Sequence, residues 1–148
     1  MVTICFKAGQ PIFIAAEKAK GVYRVKNGKV KKSALTSFGA QHIFYICKEN
    51  EYLGYHAVLS QELYADCAIA LSDCEVDFIA EKDFLKAVNT SHLLSRRLLK
   101  NLSHEFSVFL NATKFLAKHT VRERSALNLL ILESKFQNEI ETETEIII

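Results

Sequence analysis

Tyr52-Leu53-Gly54-Tyr55-His56-Ala57-Val58-Leu59-Ser60-Gln61-Glu62-Leu63-Tyr64-Ala65-Asp66-Cys67-Ala68 is the stretch on which the reading of this chain turns. Before it, short β-prone segments alternate with Gly, Asn and Lys turns. After it, the hydrophobic period lengthens into one long helical pattern. The stretch itself reads as a strand running into Gly54, a helical turn over Tyr55 to Ser60, and a strand restarting near Cys67. A break of this kind, between a β fold and a helix, is a place where ligand pockets are built.

The 148 residues make about one domain, with 49% hydrophobic and 24% charged residues, an ordinary globular balance. A net charge of +2 is too small to signal nucleic-acid binding. Lys26, Lys29, Lys31 and Lys32 cluster early, and Glu139, Glu141, Glu143 and Glu145 cluster late. The sequence has no apolar run of about 18 residues, so no membrane span or membrane partner is expected. Lys7 and Gly9 interrupt the first apolar residues, so the N-terminus does not read as a signal peptide and a cytoplasmic location is expected. Cys5, Cys47, Cys67 and Cys74 form no CxxC pair and read as reduced core thiols. Cys67 and Cys74 remain a conceivable redox pair if their strands are neighbours.

Taken in order, Ile4 to Phe6 and Ile12 to Ile14 read as short strands around Ala8-Gly9-Gln10-Pro11. Val22 to Val25 and Val30 to Ser33 flank Lys26-Asn27-Gly28-Lys29. Asn-Gly favours a type I′ turn, so a hairpin is expected, with solvated lysines at its tip. His42 to Cys47 reads as a strand apolar on both faces. Cys67 to Leu71 and Glu75 to Ile79 read as two strands around Ser72-Asp73. Many short strands separated by regular turns predict an antiparallel sandwich or barrel.

Glu81 to Val88 then reads as a short amphipathic helix with Phe84, Leu85 and Val88 inward. Asn89, Thr90 or Ser91 caps a long helix over about His92 to Lys118. Leu99, Leu102, Phe106, Phe109, Thr113 and Leu116 recur at alternating steps of three and four, a heptad seam that suits a second copy of the helix. Leu94, Leu98, Val108, Leu110 and Phe115 lie off that seam and suit packing on the β fold. Thr120-Val121-Arg122-Glu123 reads as a capping box opening a helix through about Phe136. The tail from Glu139 to Ile148 alternates like a strand, and its bare apolar end reads as a chain cut from something longer.

Element order and residues together resemble the Crp/Fnr family of transcription regulators, over nearly the whole chain. Phe6 to Phe13 is similar to the family's opening strand pair. Gly21 to Lys31 is similar to its hairpin, and Ala70 to Val76 with Asp83-Phe84 to its last strands and their exit. Thr120 to Arg124 is similar to the segment where its DNA-binding domain begins. The resemblance implies a mainly β fold with C-terminal helices: a double-stranded β-helix, or jelly roll, over residues 1–90. A dimerisation helix over 91–119 and the start of a truncated winged helix-turn-helix over 120–148 follow, with the first strand of that domain expected at Glu143 to Ile148. It makes Gly54 to Asp66 the ligand cassette.

Members of the family that bind cyclic nucleotides carry a Gly-Glu pair and an Arg-Ser pair in that cassette. The Glu accepts from the ribose hydroxyl, and the Arg pairs with the cyclic phosphate. Here the first pair is Gly54-Tyr55 and the second aligns with Tyr64-Ala65, followed by Asp66. Tyr55 does not copy a carboxylate, Tyr64 brings no charge to a phosphate, and Asp66 repels one. cAMP and cGMP are therefore not expected in the usual mode, and Gly54, Tyr55, His56, Tyr64, Ala65 and Asp66 outline a pocket for a different small effector or for none.

Only Cys5 lies where the family's iron–sulfur sensors have a cysteine cluster, and His42, His56, His92, His104 and His119 are scattered. No catalytic residue, metal or cofactor is expected, which leaves a cupin-like enzyme as a remote alternative. The expected partners are a second copy, through helix 92–118, an effector, and DNA only through a C-terminal domain that carries the recognition helix. A degenerate module that merely dimerises, with its pocket filled by its own side chains, is the second reading.

Overall fold

The computed structural model describes residues 1–35, 41–118 and 120–144. Contacts divide the chain into Met1–Ser95 and Arg96–Ile148. The first unit holds β1 (Val2–Phe6), β2 (Pro11–Phe13), β3 (Gly21–Asn27), β4 (Val30–Leu35), β5 (Gln41–Cys47), β6 (Tyr52–Leu53), α1 (Tyr55–Ser60), β7 (Cys67–Ala70), β8 (Cys74–Ala80) and α2 (Glu81–Thr90). The strands form two four-stranded antiparallel sheets, ordered β1-β8-β3-β6 and β2-β7-β4-β5. This is the expected jelly roll.

The expected hairpin does not form. β3 pairs with β8 and β6 in one sheet, while β4 pairs with β7 and β5 in the other. Gly28 has φ +91°, but Asn27 does not share the positive φ that a type I′ turn requires. Asn27-Gly28 is instead a corner at which the chain changes sheets. A Cβ on Gly28 would come within 2.6 Å of Asp73 O, so this corner packs against the matching corner between β7 and β8. Leu71 N donates to Lys29 O (2.8 Å) and Lys29 N donates to Ser72 Oγ (3.1 Å), tying the two together. The pair β3–β4 thus winds antiparallel to the pair β7–β8, and tertiary pairing overrides the local turn preference. The same crossing places Cys67 and Cys74 in different sheets, so they are not cross-strand neighbours; Cys47, Cys67 and Cys74 are buried as expected of core thiols, whereas Cys5, on the edge strand β1, is exposed.

Inward-facing residues fill the space between the sheets. Val22, Val25, Val30, Leu53, Ala68 and Val76 have no exposed surface. Each buried Val or Leu side chain contributes about 1.5–3 kcal/mol relative to an exposed one. β5, expected as a strand apolar on both faces, is not covered on both. It is an edge strand, Gln41 to Phe44 are exposed, and Ile43 and Phe44 are each 47% exposed. On the outer side of the first sheet, Thr3 Oγ1 and Arg24 Nη2 donate to the two oxygens of Asp77 at 2.7 and 2.6 Å. These bonds, strengthened by charge at Arg24, hold the Asp77 carboxyl below its ordinary range. α2 packs on β3 and β8 through the buried Phe84.

Ser91 ends α2 in an extended conformation and caps α3 (His92–Lys118), its Oγ accepting from Leu94 N at 3.3 Å. In the second unit, Leu98 is buried, Leu102 is half-buried, and Leu99, Phe106 and Phe109 are 61–64% exposed. Thr113 and Leu116 lie on α3, but their side chains fall outside the described residues. The capping box forms as expected: Thr120 N donates to Glu123 Oε2 (2.8 Å) and Glu123 N to Thr120 Oγ1 (3.5 Å). The helix it opens, α4 (Val121–Thr144), runs past Phe136. The strand expected at Glu143 to Ile148 is not found at Glu143 and Thr144, which are helical, and 145–148 lie outside the described residues.

Candidate ligand cassette

The segment from Gly54 to Asp66 is shaped by two backbone constraints. Gly54 links β6 to α1 at φ +74°, and a Cβ there would stand 2.7 Å from Tyr64 Cε1 and 3.4 Å from Phe13 Cε1. Left-handed backbone and close approach both require glycine at this position. α1 turns Tyr55, Ala57 and Val58 into the core, and Gln61, at φ +60°, ends it. The chain then returns along residues 14–19: Tyr64 N donates to Glu17 O (3.0 Å) and Ala16 N to Tyr64 O (2.8 Å).

Tyr55 and Tyr64 are 1% and 4% exposed, so both rings belong to the core. Tyr64 stacks on Phe13 with centroids 4.0 Å apart, and its hydroxyl donates to Gly21 O at 3.0 Å. Burial, with a smaller contribution from Tyr23, pushes the Tyr64 phenol up to about 12. Ala65 is exposed, whereas Asp66 points inward and is 4% exposed.

Asp66 meets a residue that the sequence reading gave no role. Lys32, in the strand expected at Val30 to Ser33, is buried on the inward row of β4, two residues from Val30 and opposite Ala68 of β7. Its Nζ lies 3.3 Å from Asp66 Oδ2 and 5.6 Å from the centre of the Phe44 ring. His56 Nε2, on the half-buried face of α1, lies 3.5 Å from Asp66 Oδ1. Neither Asp66 oxygen has a well-formed hydrogen bond within the described residues. Burial pushes the Asp66 carboxyl up, but His56 and Lys32 together outweigh it and hold the group below its ordinary range. The alternation Val30, Lys32 was the available signal for Lys32, and its charge hid it.

The cassette therefore brings together Gly54, Tyr55, His56, Tyr64 and Asp66, adds Lys32, and leaves Ala65 outside. Its one inward carboxylate comes from the cassette, and the cation facing it comes from the barrel wall. Among the described residues no cluster of three His, Cys, Asp or Glu side chains could hold a metal ion. A separate groove of about 270 Å³, lined by residues that include Cys5, Lys7, Asp73 and Cys74, shares no residue with the cassette.

A two-sheet barrel with a short helix and a following loop that turns side chains inward at this place is the architecture of cyclic nucleotide-binding domains. Residues 3–91 match the cyclic nucleotide-binding domain family, and the chain belongs to that family. Three solved structures share the fold. The c-di-GMP-responsive global regulator CLP of Xanthomonas campestris superposes with a TM-score of 0.75 at 17% identity, over 86% of this chain and 65% of its own. A CRP/FNR-family transcriptional regulator of Thermus thermophilus gives 0.73 at 23% identity, over 89% and 65%. The catabolite activator protein of the same organism gives 0.71 at 20% identity, over 78% and 55%. The chain thus spans between 55% and 65% of the length of these three structures. The search of curated proteins returned no match to this sequence. No helix among the described residues is long and apolar enough to cross a membrane.

Proposed function

We propose that this chain is the effector-sensing and dimerisation part of a Crp/Fnr-type transcription regulator, and that it does not take cAMP in the family's usual mode. The observation that carries the second half is the inward Asp66 carboxylate directly after Tyr64-Ala65. A cyclic phosphate held at Tyr64-Ala65, as in the usual mode, would meet that negative charge and find no cation supplied by the cassette, and the Tyr64 hydroxyl is already committed to Gly21 O. Lys32 is the nearby cation, and Asp66 occupies it.

Dimerisation through α3 draws support from Leu99, Phe106 and Phe109, which follow the heptad seam and are 61–64% exposed. Effector contacts in the cassette would act by favouring one of two dimer arrangements, and only through differential affinity for them. Sedimentation of the wild type beside Leu102→Glu/Phe109→Glu tests the seam. The wild type is expected to be dimeric and the variant monomeric; identical behaviour overturns the dimer helix.

The burial of Tyr55 and Tyr64 favours a second reading, a module whose own side chains fill the pocket. A thermal-shift panel of cyclic nucleotides, haem and small acids separates the two. The sensing reading expects a stabilising compound outside cAMP and cGMP, and the second reading expects none.

A further inference from the structure

We propose that Lys32 is an oxyanion subsite inside the barrel, covered by Asp66, and that the effector carries a carboxylate or phosphate group that takes the place of Asp66. The proposal rests on the sensing reading above and names the chemical class of the ligand. Lys32 is the one buried lysine or arginine among the described residues. It is fixed in place, because β4 is hydrogen-bonded to β5 on one side and β7 on the other. Asp66 is not fixed in that way. It belongs to the connection between α1 and β7 and lies outside both elements.

The pair is also loosely made. Charge-assisted N–H···O bonds close to about 2.7–2.9 Å, as Lys7 and Asp73 do at 2.7 Å on the surface. Lys32 and Asp66 stand 3.3 Å apart, and neither carboxylate oxygen gains a well-formed hydrogen bond. A buried carboxylate in that condition has acceptor capacity unspent, so another oxyanion with better geometry can replace it. The displaced Asp66 has a destination, since His56 Nε2 is already 3.5 Å from its other oxygen. His56 is on α1 and its side chain is 29% exposed, so the exchange reaches both the cassette helix and solvent. An incoming anion keeps Lys32 neutralised once Asp66 has turned to His56, whereas a cation would not.

Chemical rescue tests the subsite. Asp66→Ala uncovers Lys32, and Lys32→Met/Asp66→Ala removes the cation as well. Thermal midpoints are measured in sodium acetate and in sodium phosphate, each against sodium chloride of matched ionic strength. Acetate, phosphate or both are expected to raise the Asp66→Ala midpoint by about 5 °C and to leave the double variant unmoved. The salt that acts distinguishes a carboxylate from a phosphate ligand. If Asp66→Ala is unfolded in chloride, recovery of its β-sheet circular dichroism on adding either anion is the readout. No response to either anion, or an equal response in the double variant, overturns the subsite. In the wild type the same anion must shift the His56 imidazole resonances, and unmoved resonances overturn the displacement. Neither outcome depends on the dimer or on cAMP, so failure here is distinguishable from failure of the regulator reading.

Discussion

Lys32 Nζ faces Asp66 Oδ2 at 3.3 Å, and each side chain is only 6% exposed. The two groups lie 34 positions apart in the sequence and meet because β4 and β7 are neighbours, with Lys32 opposite Ala68 and Asp66 two residues before it. Cation and anion are thus exchanged relative to the nucleotide-binding arrangement that the family resemblance implies, in which the cassette supplies the positive charge.

A buried pair of this kind is costly to break and cheap to replace. Lys32→Met or Asp66→Asn alone should destabilise by about 3–5 kcal/mol, because each removes one side of a buried ion pair. Lys32→Met/Asp66→Leu should lose far less than the sum. Urea denaturation of the three variants measures the coupling, and additive losses would mean that the two groups do not interact.

The same groups set the response to pH. The folded-state carboxyl of Asp66 is held below its unfolded value, so its contribution is present above that value, about 3.9. It is lost as pH falls through the folded value. Thermal midpoints should therefore fall more steeply in acid for the wild type than for Asp66→Asn. Tyr64 acts at the other end. Its phenol ionises near 10 when unfolded and at about 12 when folded. Stability is then retained below pH 10 and declines as pH rises toward 12. Tyr64→Phe should lose the Gly21 hydrogen bond at every pH and lack that alkaline decline.

Gly54 meets two requirements at once, a left-handed backbone and contact with the Tyr64 ring. Gly54→Ala should cost about 3 kcal/mol, from backbone strain together with overpacking. Guanidinium denaturation measures it. A loss below about 1 kcal/mol would mean that α1 and Tyr64 give way easily.

The parts of this molecule that were legible in the sequence are those governed by local rules. The α1 turn over Tyr55 to Ser60, the long helix over His92 to Lys118 and the Thr120–Glu123 capping box follow from period and cap chemistry within a few residues. Two features misled for a shared reason, since long-range pairing decides them. Asn27-Gly28 carries a hairpin signal, but Gly28 packs on the Asp73 corner and the strands part into different sheets. Lys32 reads only as one of a lysine cluster, but it continues the inward row of Val30, and the Asp66 that neutralises it is distant in sequence. Within the cassette, the residue types at 54–55 and 64–66 were readable. The commitment of Tyr64 to Gly21 O was not, because nothing local points a phenol at a carbonyl 43 positions away.

Titration calorimetry of the wild-type chain with cAMP tests the central claim most directly. The exchanged charges predict no saturable heat of binding that survives Lys32→Met. One-site saturation that survives Lys32→Met and disappears in Tyr64→Ala would show nucleotide bound through the cassette in spite of Asp66, and would contradict the account.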